Sequence, residues 1–167
     1  SAYIVLAIGI LILFLFLNKK ILSRLSLILF LVAFLSLLLV PFLGIEVKGS
    51  KRWLDLLFLP RFQPVEIVKP FFIVSLSLML TIQNRKLYFK YFLSSLFILP
   101  ILMLLIYQPD IGQTLLISMV WLALIFVSGI NIFIFFIFFL FVGSTVSYLI
   151  LFVSKFEYIK IRLFAFL

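Results

Sequence analysis

The sequence predicts an all-α protein: a polytopic transmembrane helical bundle of about six membrane spans, with a C-terminal amphipathic helix lying at the interface. Three observations carry that reading. The 167 residues are 67% hydrophobic and only 11% charged, with a mean hydropathy of +1.45, which is more apolar surface than a water-soluble core can enclose. The apolar residues come in runs close to the ~20 that a bilayer crossing requires. The charged residues gather in the short segments between those runs.

Residues 2–17 form the first apolar run, closed by Asn18, Lys19, Lys20 and Arg24. This run lacks a basic leader and a small-residue cleavage pattern, so it reads as a span entered part-way along a longer protein and not as a signal peptide. The second span, 25–45, has Pro41 near its end, where a lost helical hydrogen bond costs least. A loop of about 18 residues follows, long for a compact connection. The third span covers 65–82 and starts at Gln63-Pro64, with proline at the first helical position. A basic turn with Arg85, Lys86 and Lys90 leads to the fourth span, 91–107, where Pro100 is expected to bend the helix by freeing the carbonyl of Leu96.

Gln108, Pro109 and Asp110 make a tight turn into the fifth span, 111–130. Asp-Ile-Gly-Gln reads there as a capping box, in which Asp110 accepts from first-turn N–H groups and Gln113 bonds back. The sixth span, 132–154, holds the run IFIFFIFFLF, read as bulky lipid-facing packing because a cofactor box needs polar partners that it lacks. In the tail KFEYIKIRLFAFL, Phe156, Ile159, Leu163 and Phe166 recur at helical spacing, the pattern of an interfacial amphipathic helix. No internal repeat relates the spans, and residues 1–167 read as one transmembrane domain.

Cysteine and histidine are absent. That removes disulfides, thiol chemistry and most zinc sites, and leaves Asp, Glu, Lys, Arg, Tyr and Ser for chemistry. A net charge of +9 would suggest nucleic acid in a soluble domain. Here the cations sit between spans, where orientation signals and lipid-headgroup contacts belong, so nucleic acid is set aside as a partner. Counting cations does not orient the bundle: six of the 14 Lys and Arg residues lie in 18–24, 83–90 and 131, and eight in 46–69, 108–110 and 155–162. An excess of cations on an outer face would need its own reason, and binding an anionic, lipid-linked substrate is one.

Glu66 and Lys69 are three residues apart and share a helix face. The spacing fits an interfacial ion pair that positions the helix as well as it fits a functional pair. Pro70 shifts that balance, because it leaves the carbonyl of Glu66 without its helical donor. Trp53 fits a membrane-interface aromatic. The guanidinium forks of Arg52 and Arg61 match phosphate oxygens, although headgroup contact is their commoner use. No two carboxylates have the spacing of a general acid and base, no Gly-rich phosphate loop is present, and no serine sits in a nucleophile motif. The residues alone lead to a membrane bundle with a polar, cationic pocket on one face, and an unrelated transporter fragment stays open.

Taken in order, GSKRWL, RFQPVEIVK and QPDIG resemble motifs of the SEDS family of cell-wall polymerases (FtsW, RodA, SpoVE): Gly-(Ala/Ser)-x-Arg-Trp, Gln-Pro-x-Glu-x-x-Lys and Gln-Pro-Asp-(Leu/Ile)-Gly. Tyr158-x-x-x-Arg162 in the tail agrees as well. The resemblance covers essentially the whole chain, and LPRFQPVEIVKPF is nearer the division member FtsW than the elongation member RodA. It implies a ten-span peptidoglycan glycosyltransferase of the bacterial cytoplasmic membrane that polymerises lipid II into glycan strands during cell division. The acceptor 4-hydroxyl would attack the donor anomeric carbon and expel undecaprenyl pyrophosphate.

The resemblance also implies that Arg52, Gln63, Glu66, Lys69 and Asp110 line a central substrate cavity, with Lys69 stabilising charge on the leaving pyrophosphate and Glu66 holding Lys69. The implied partners are lipid II and undecaprenyl-linked intermediates, a class B penicillin-binding protein transpeptidase, cell-division proteins and membrane lipids. No residue is assigned to a metal, and a divalent metal stays open as a cofactor of the full-length enzyme. The usual catalytic base of the family lies in an external His-Thr-Asp-Phe-type motif after its seventh span, whereas this chain has no histidine and reaches only Leu167. By this alignment the six spans correspond to family spans two to seven. The expectation is then a fragment without a catalytic residue, inactive alone. A lipid II flippase and a non-catalytic divisome scaffold that recruits a transpeptidase are the alternative functions.

Overall fold

The computed structural model describes residues 18–47, 50–55, 60–83 and 86–153, with Gly9 and Phe16 besides. Apart from those two positions, the expected first span (2–17) and the expected tail helix (155–167) lie outside the described residues. The elements are α1 (Lys19–Leu43), β1 (Ile45–Val47), β2 (Ser50–Trp53), α2 (Pro64–Leu80), α3 (Leu87–Tyr107), α4 (Ile111–Val127) and α5 (Ile132–Phe152). Among the described residues three helices, α1, α3 and α5, are long and apolar enough to cross a membrane. With the shorter α2 and α4, each of 17 residues, they make a polytopic helical membrane fold.

The start of α1 differs from the expected span. Lys19, Lys20 and Arg24 are helical and not part of a loop, because Lys and Arg are good helix formers whose long stems carry the charge to the interface from a helical backbone. α2 begins with Pro64 at its first position after Gln63, as the Gln-Pro pair predicts. α2 and α3 continue as helix through Pro70 and Pro100.

Pro41 lies in the last turn of α1. Lacking an N–H, it cannot serve the carbonyl of Leu37 one turn earlier. The buried side chain of Gln108 does so instead, donating from Nε2 to the Leu37 oxygen at 3.4 Å. Two glycines shape the turns. A Cβ on Gly44 would collide with the carbonyl oxygen of Val40, so glycine lets the chain pass directly from α1 into β1. Gly129, at φ 88°, follows the C-cap of α4 in the left-handed conformation that glycine tolerates.

The end of α2, the start of α3 and the turn at 128–131 lie at one end of the bundle; the hairpin and the turn at 108–110 lie at the other. α2 is central, packing against α1, α3 and α4. Its Val65, Val68, Phe72 and Leu76, spaced by three or four, are buried against Leu37 and Val40 of α1, Ile98 and Ile101 of α3 and Ile117 of α4. Phe97 fills the layer between α1 and α2, with its ring 4.8 Å from Phe30 and 5.8 Å from Phe72. The indole of Trp121 reaches Ser94 Oγ on α3 at 3.3 Å. α5 packs chiefly on α4 and leaves Phe133, Phe136 and Phe141 on the outer surface.

Candidate functional site

The expected loop after α1 contains a β-hairpin. β1 and β2 pair antiparallel, Glu46 opposite Lys51 and Val47 opposite Ser50, and a bridge between Leu54 and Phe62 extends the ribbon through two backbone bonds of 3.0 and 3.2 Å. Alternation along the strand then sorts the side chains. Lys51, Trp53 and Asp55 are exposed, while Arg52 and Leu54 turn inward, Leu54 fully buried and Arg52 half-buried. The strand period therefore brings a guanidinium to the bundle end.

Arg52 meets the start of α4. Its Nη2 donates to the Pro109 carbonyl at 2.6 Å, and its Nη1 lies 3.5 Å from Asp110 Oδ1. Asp110 is the N-cap of α4, its Oδ1 accepting the Gln113 backbone N–H at 3.4 Å, while its Oδ2 accepts from Gln63 Nε2 at 3.1 Å. The Asp110 side chain is only 6% exposed, so burial of its charge is offset by one cation, one amide and one helix N-terminus.

The second carboxylate lies one helix away. Glu66, in the first turn of α2, holds Lys69 Nζ at 2.6 Å through Oε2, the i,i+3 pair that the spacing predicts. The Lys69 side chain is four-fifths buried, whereas that of Glu66 is half exposed. Glu66 Oε1 accepts a 2.8 Å bond from Gln113 Nε2.

That last bond corrects the capping-box expectation. Asp110 caps as predicted, but Gln113 does not bond back to the Asp110 N–H, which is already committed to the Leu105 carbonyl at 2.9 Å in the turn that closes α3. The Gln113 side chain is released to reach across to α2. As a result Arg52, Gln63, Asp110, Gln113, Glu66 and Lys69 form one connected polar chain at the hairpin end.

All five residues expected to line a cavity are brought together, and Gln113, which sequence reasoning assigned only a local role, is the link between them. Arg61 stands apart. It pairs with Asp55 at 2.7 Å on the exposed part of the hairpin loop, where an ion pair is worth little. Trp53 is partly exposed, as an interfacial aromatic would be.

Within the chain the charges of Arg52, Lys69, Glu66 and Asp110 cancel. The two carboxylates are spent on helix starts and cations, whereas among the described residues the Lys69 ammonium donates only to Glu66. The arrangement can thus offer ammonium N–H donors in a half-buried setting to an anionic group such as a phosphate oxygen. Among the described residues, no group of three metal-ligating side chains gathers that could hold a metal ion.

The whole chain, residues 1–167, matches the family model of FtsW, RodA and SpoVE, described as cell cycle proteins. It is 38% identical over 109 residues to the probable peptidoglycan glycosyltransferase FtsW of Coxiella burnetii, an alignment covering 62% of this chain and 29% of that protein. To the protein of the same name from Thioalkalivibrio sulfidiphilus it is 35% identical over 137 residues, covering 80% of this chain and 33% of that one.

Among solved structures it resembles the rod shape determining protein RodA of Thermus thermophilus, with a TM-score of 0.69 and 28% identity over 86% of this chain and 48% of that one. It also resembles a chain of a peptidoglycan synthase complex, solved to show how polymerization and crosslinking are coordinated, with a TM-score of 0.74 and 27% identity over 99% of this chain and 50% of that one. The chain thus spans about a third of these curated relatives and half of the solved chains.

Proposed function

Since this chain belongs to the FtsW, RodA and SpoVE family of cell cycle proteins, we propose that it is the substrate-holding part of a peptidoglycan glycosyltransferase that polymerises lipid II during cell division. The observation that carries this reading is the convergence of Arg52, Gln63, Glu66, Lys69 and Asp110, from three separate segments, into one polar chain at one end of a membrane bundle. Lipid II presents a pyrophosphate between a sugar and a prenyl chain. A site for it therefore needs cations at the membrane surface, held by carboxylates but not consumed by them.

In the proposed reaction the acceptor 4-hydroxyl attacks the donor anomeric carbon and undecaprenyl pyrophosphate leaves. Negative charge grows on the leaving group, and Lys69, held by Glu66, lies where it can offset that charge. Arg52 shapes the opposite side of the site through Asp110 and the Pro109 carbonyl. Glu66 and Asp110, committed to Lys69, Gln113, Arg52 and Gln63, are not the base that takes the hydroxyl proton in this reading. In this reading the hairpin end faces outward from the bacterial cytoplasmic membrane, where the lipid-linked substrate is polymerised, and the end carrying Lys19, Lys20, Arg24, Lys86 and Lys90 faces the cytoplasm. The partners in this reading are a class B penicillin-binding protein transpeptidase, other cell-division proteins and membrane lipids. Support comes from the FtsW names of the curated relatives and from a structural neighbour that belongs to a synthase complex.

The test is polymerisation of labelled lipid II by the full-length protein with its transpeptidase. Lys69→Ala should lower the rate about 100-fold or more, the usual effect of removing one preorganised donor to a developing charge. Undiminished polymer would overturn the reading. If the same variant instead stopped lipid II from crossing liposomes, a flippase would replace the polymerase, and if neither activity changed, a scaffold role would.

A further inference from the structure

We propose that Gln113 is a positioning residue of this site: its side-chain amide fixes the Glu66 carboxylate from α4 and thereby sets where Lys69 presents its charge. The inference rests on the reading of Lys69 as a substrate-facing cation. A half-exposed glutamate paired only with a lysine on its own helix would be loosely held. Here each Glu66 oxygen has its own donor, Lys69 Nζ at 2.6 Å on α2 and Gln113 Nε2 at 2.8 Å on α4. The carboxylate is therefore clamped between two helices, and its orientation fixes that of the ammonium.

The residue type suits the task. A carboxylate only accepts, so the amide must turn its NH₂ toward Glu66. This leaves Gln113 Oε1 enclosed and without a hydrogen-bond partner among the described residues. Flipping the amide to relieve that oxygen would set it against the Glu66 oxygen, so the contact is retained at a cost. A cationic residue at this position would compete with Lys69 for Glu66, and an anionic one would repel it; a neutral donor does neither. The Gln113 backbone N–H on Asp110 is separate from the side chain, so substitution leaves the α4 cap in place.

Two variants of the full-length protein, reconstituted with its transpeptidase, test this by lipid II polymerisation between pH 5 and pH 8. Gln113→Leu keeps the size and the cap but loses the amide; kcat should fall about tenfold or more, the scale expected for a lost hydrogen bond to a charged group. Gln113→Glu should be as impaired at pH 8, where the introduced carboxylate faces Glu66 with Asp110, Lys69 and Arg52 nearby. It should recover toward pH 5, where a proton shared with Glu66 restores the donor, a recovery that neither the parent nor the Leu variant would show. Parental kcat in Gln113→Leu, or a parental pH profile in Gln113→Glu, overturns the inference. So does a loss that is equal at every pH and follows a lowered melting temperature in detergent. If Lys69→Ala remains active, the reading of the site itself is at fault. If Lys69→Ala is inactive while both Gln113 variants match the parent, only the positioning role falls.

Discussion

The two ends of the bundle keep their cations in different company. At the hairpin end Arg52, Arg61 and Lys69 lie 3.5, 2.7 and 2.6 Å from Asp110, Asp55 and Glu66. At the other end the described residues of the segments 18–24, 81–90 and 128–131 include Lys19, Lys20, Arg24, Lys86 and Lys90 and no acidic residue. Lys19, Lys20, Lys86 and Lys90 moreover sit at the N-termini of α1 and α3, where the helix dipole disfavours positive charge and neither helix places an acid in its first turn. Cations in such positions are the kind that anionic headgroups attract. A tally of Lys and Arg ignores this difference because it counts paired and unpaired cations alike. At the hairpin end Arg52, Arg61 and Lys69 are held by carboxylates of the chain, whereas among the described residues the other end supplies none.

The strongest way to break this comparison is at Asp110. Asp110→Ala removes the partner of Arg52 and Gln63 and the cap of α4 together, and should destabilise the fold by about 3–5 kcal/mol in thermal unfolding in detergent. Arg52→Ala should then cost at least ~1 kcal/mol less in the Asp110→Ala background than in the parent. Strict additivity would mean that the hairpin end is no more internally paired than the other.

A smaller effect sharpens the contrast without touching charge. Gln108→Leu leaves the Leu37 carbonyl unserved and should cost about 1–3 kcal/mol, and Pro41→Ala, by returning an N–H to α1, should recover part of that loss in the same melt. The smallest effect belongs to the anchoring end. Replacing Lys19, Lys20 and Arg24 by Gln should change stability by no more than about 0.5 kcal/mol each. It should, however, flatten the dependence of reconstitution on the anionic lipid content of the vesicles. A loss of stability there comparable to that of Asp110→Ala would erase the distinction.

How far these features were legible depends on the range of the interaction. The apolar runs mark the helices because a bilayer leaves no alternative to intrahelical bonding. Gln63-Pro64, the Asp110 cap and the Glu66–Lys69 pair are legible because each is decided within four residues. The start of α1 is not legible from charge, because Lys19, Lys20 and Arg24 look like loop residues yet are helical. The hairpin escaped because its inward and outward alternation runs only from Lys51 to Asp55, with exposed Trp53 on the polar side. The partners of Gln113 and Gln108 lie 47 and 71 residues away; a local pattern gives Gln113 a neighbour and Gln108 only a place in a turn, and the meeting of helix ends reveals the true partners.

The Arg52 contact has a consequence for how the protein is made. The guanidinium leaves the ribosome 57 residues ahead of the carbonyl it will hold, and Asp110 follows immediately after that carbonyl. The hairpin therefore precedes this contact during synthesis, and the contact can close only once α3 has formed and the turn behind it has emerged. Closure of this one contact marks the moment at which the early and late helices of the chain are in register. A nascent chain stalled after α4 should protect Arg52 from water-borne arginine reagents more strongly than one stalled before Pro109.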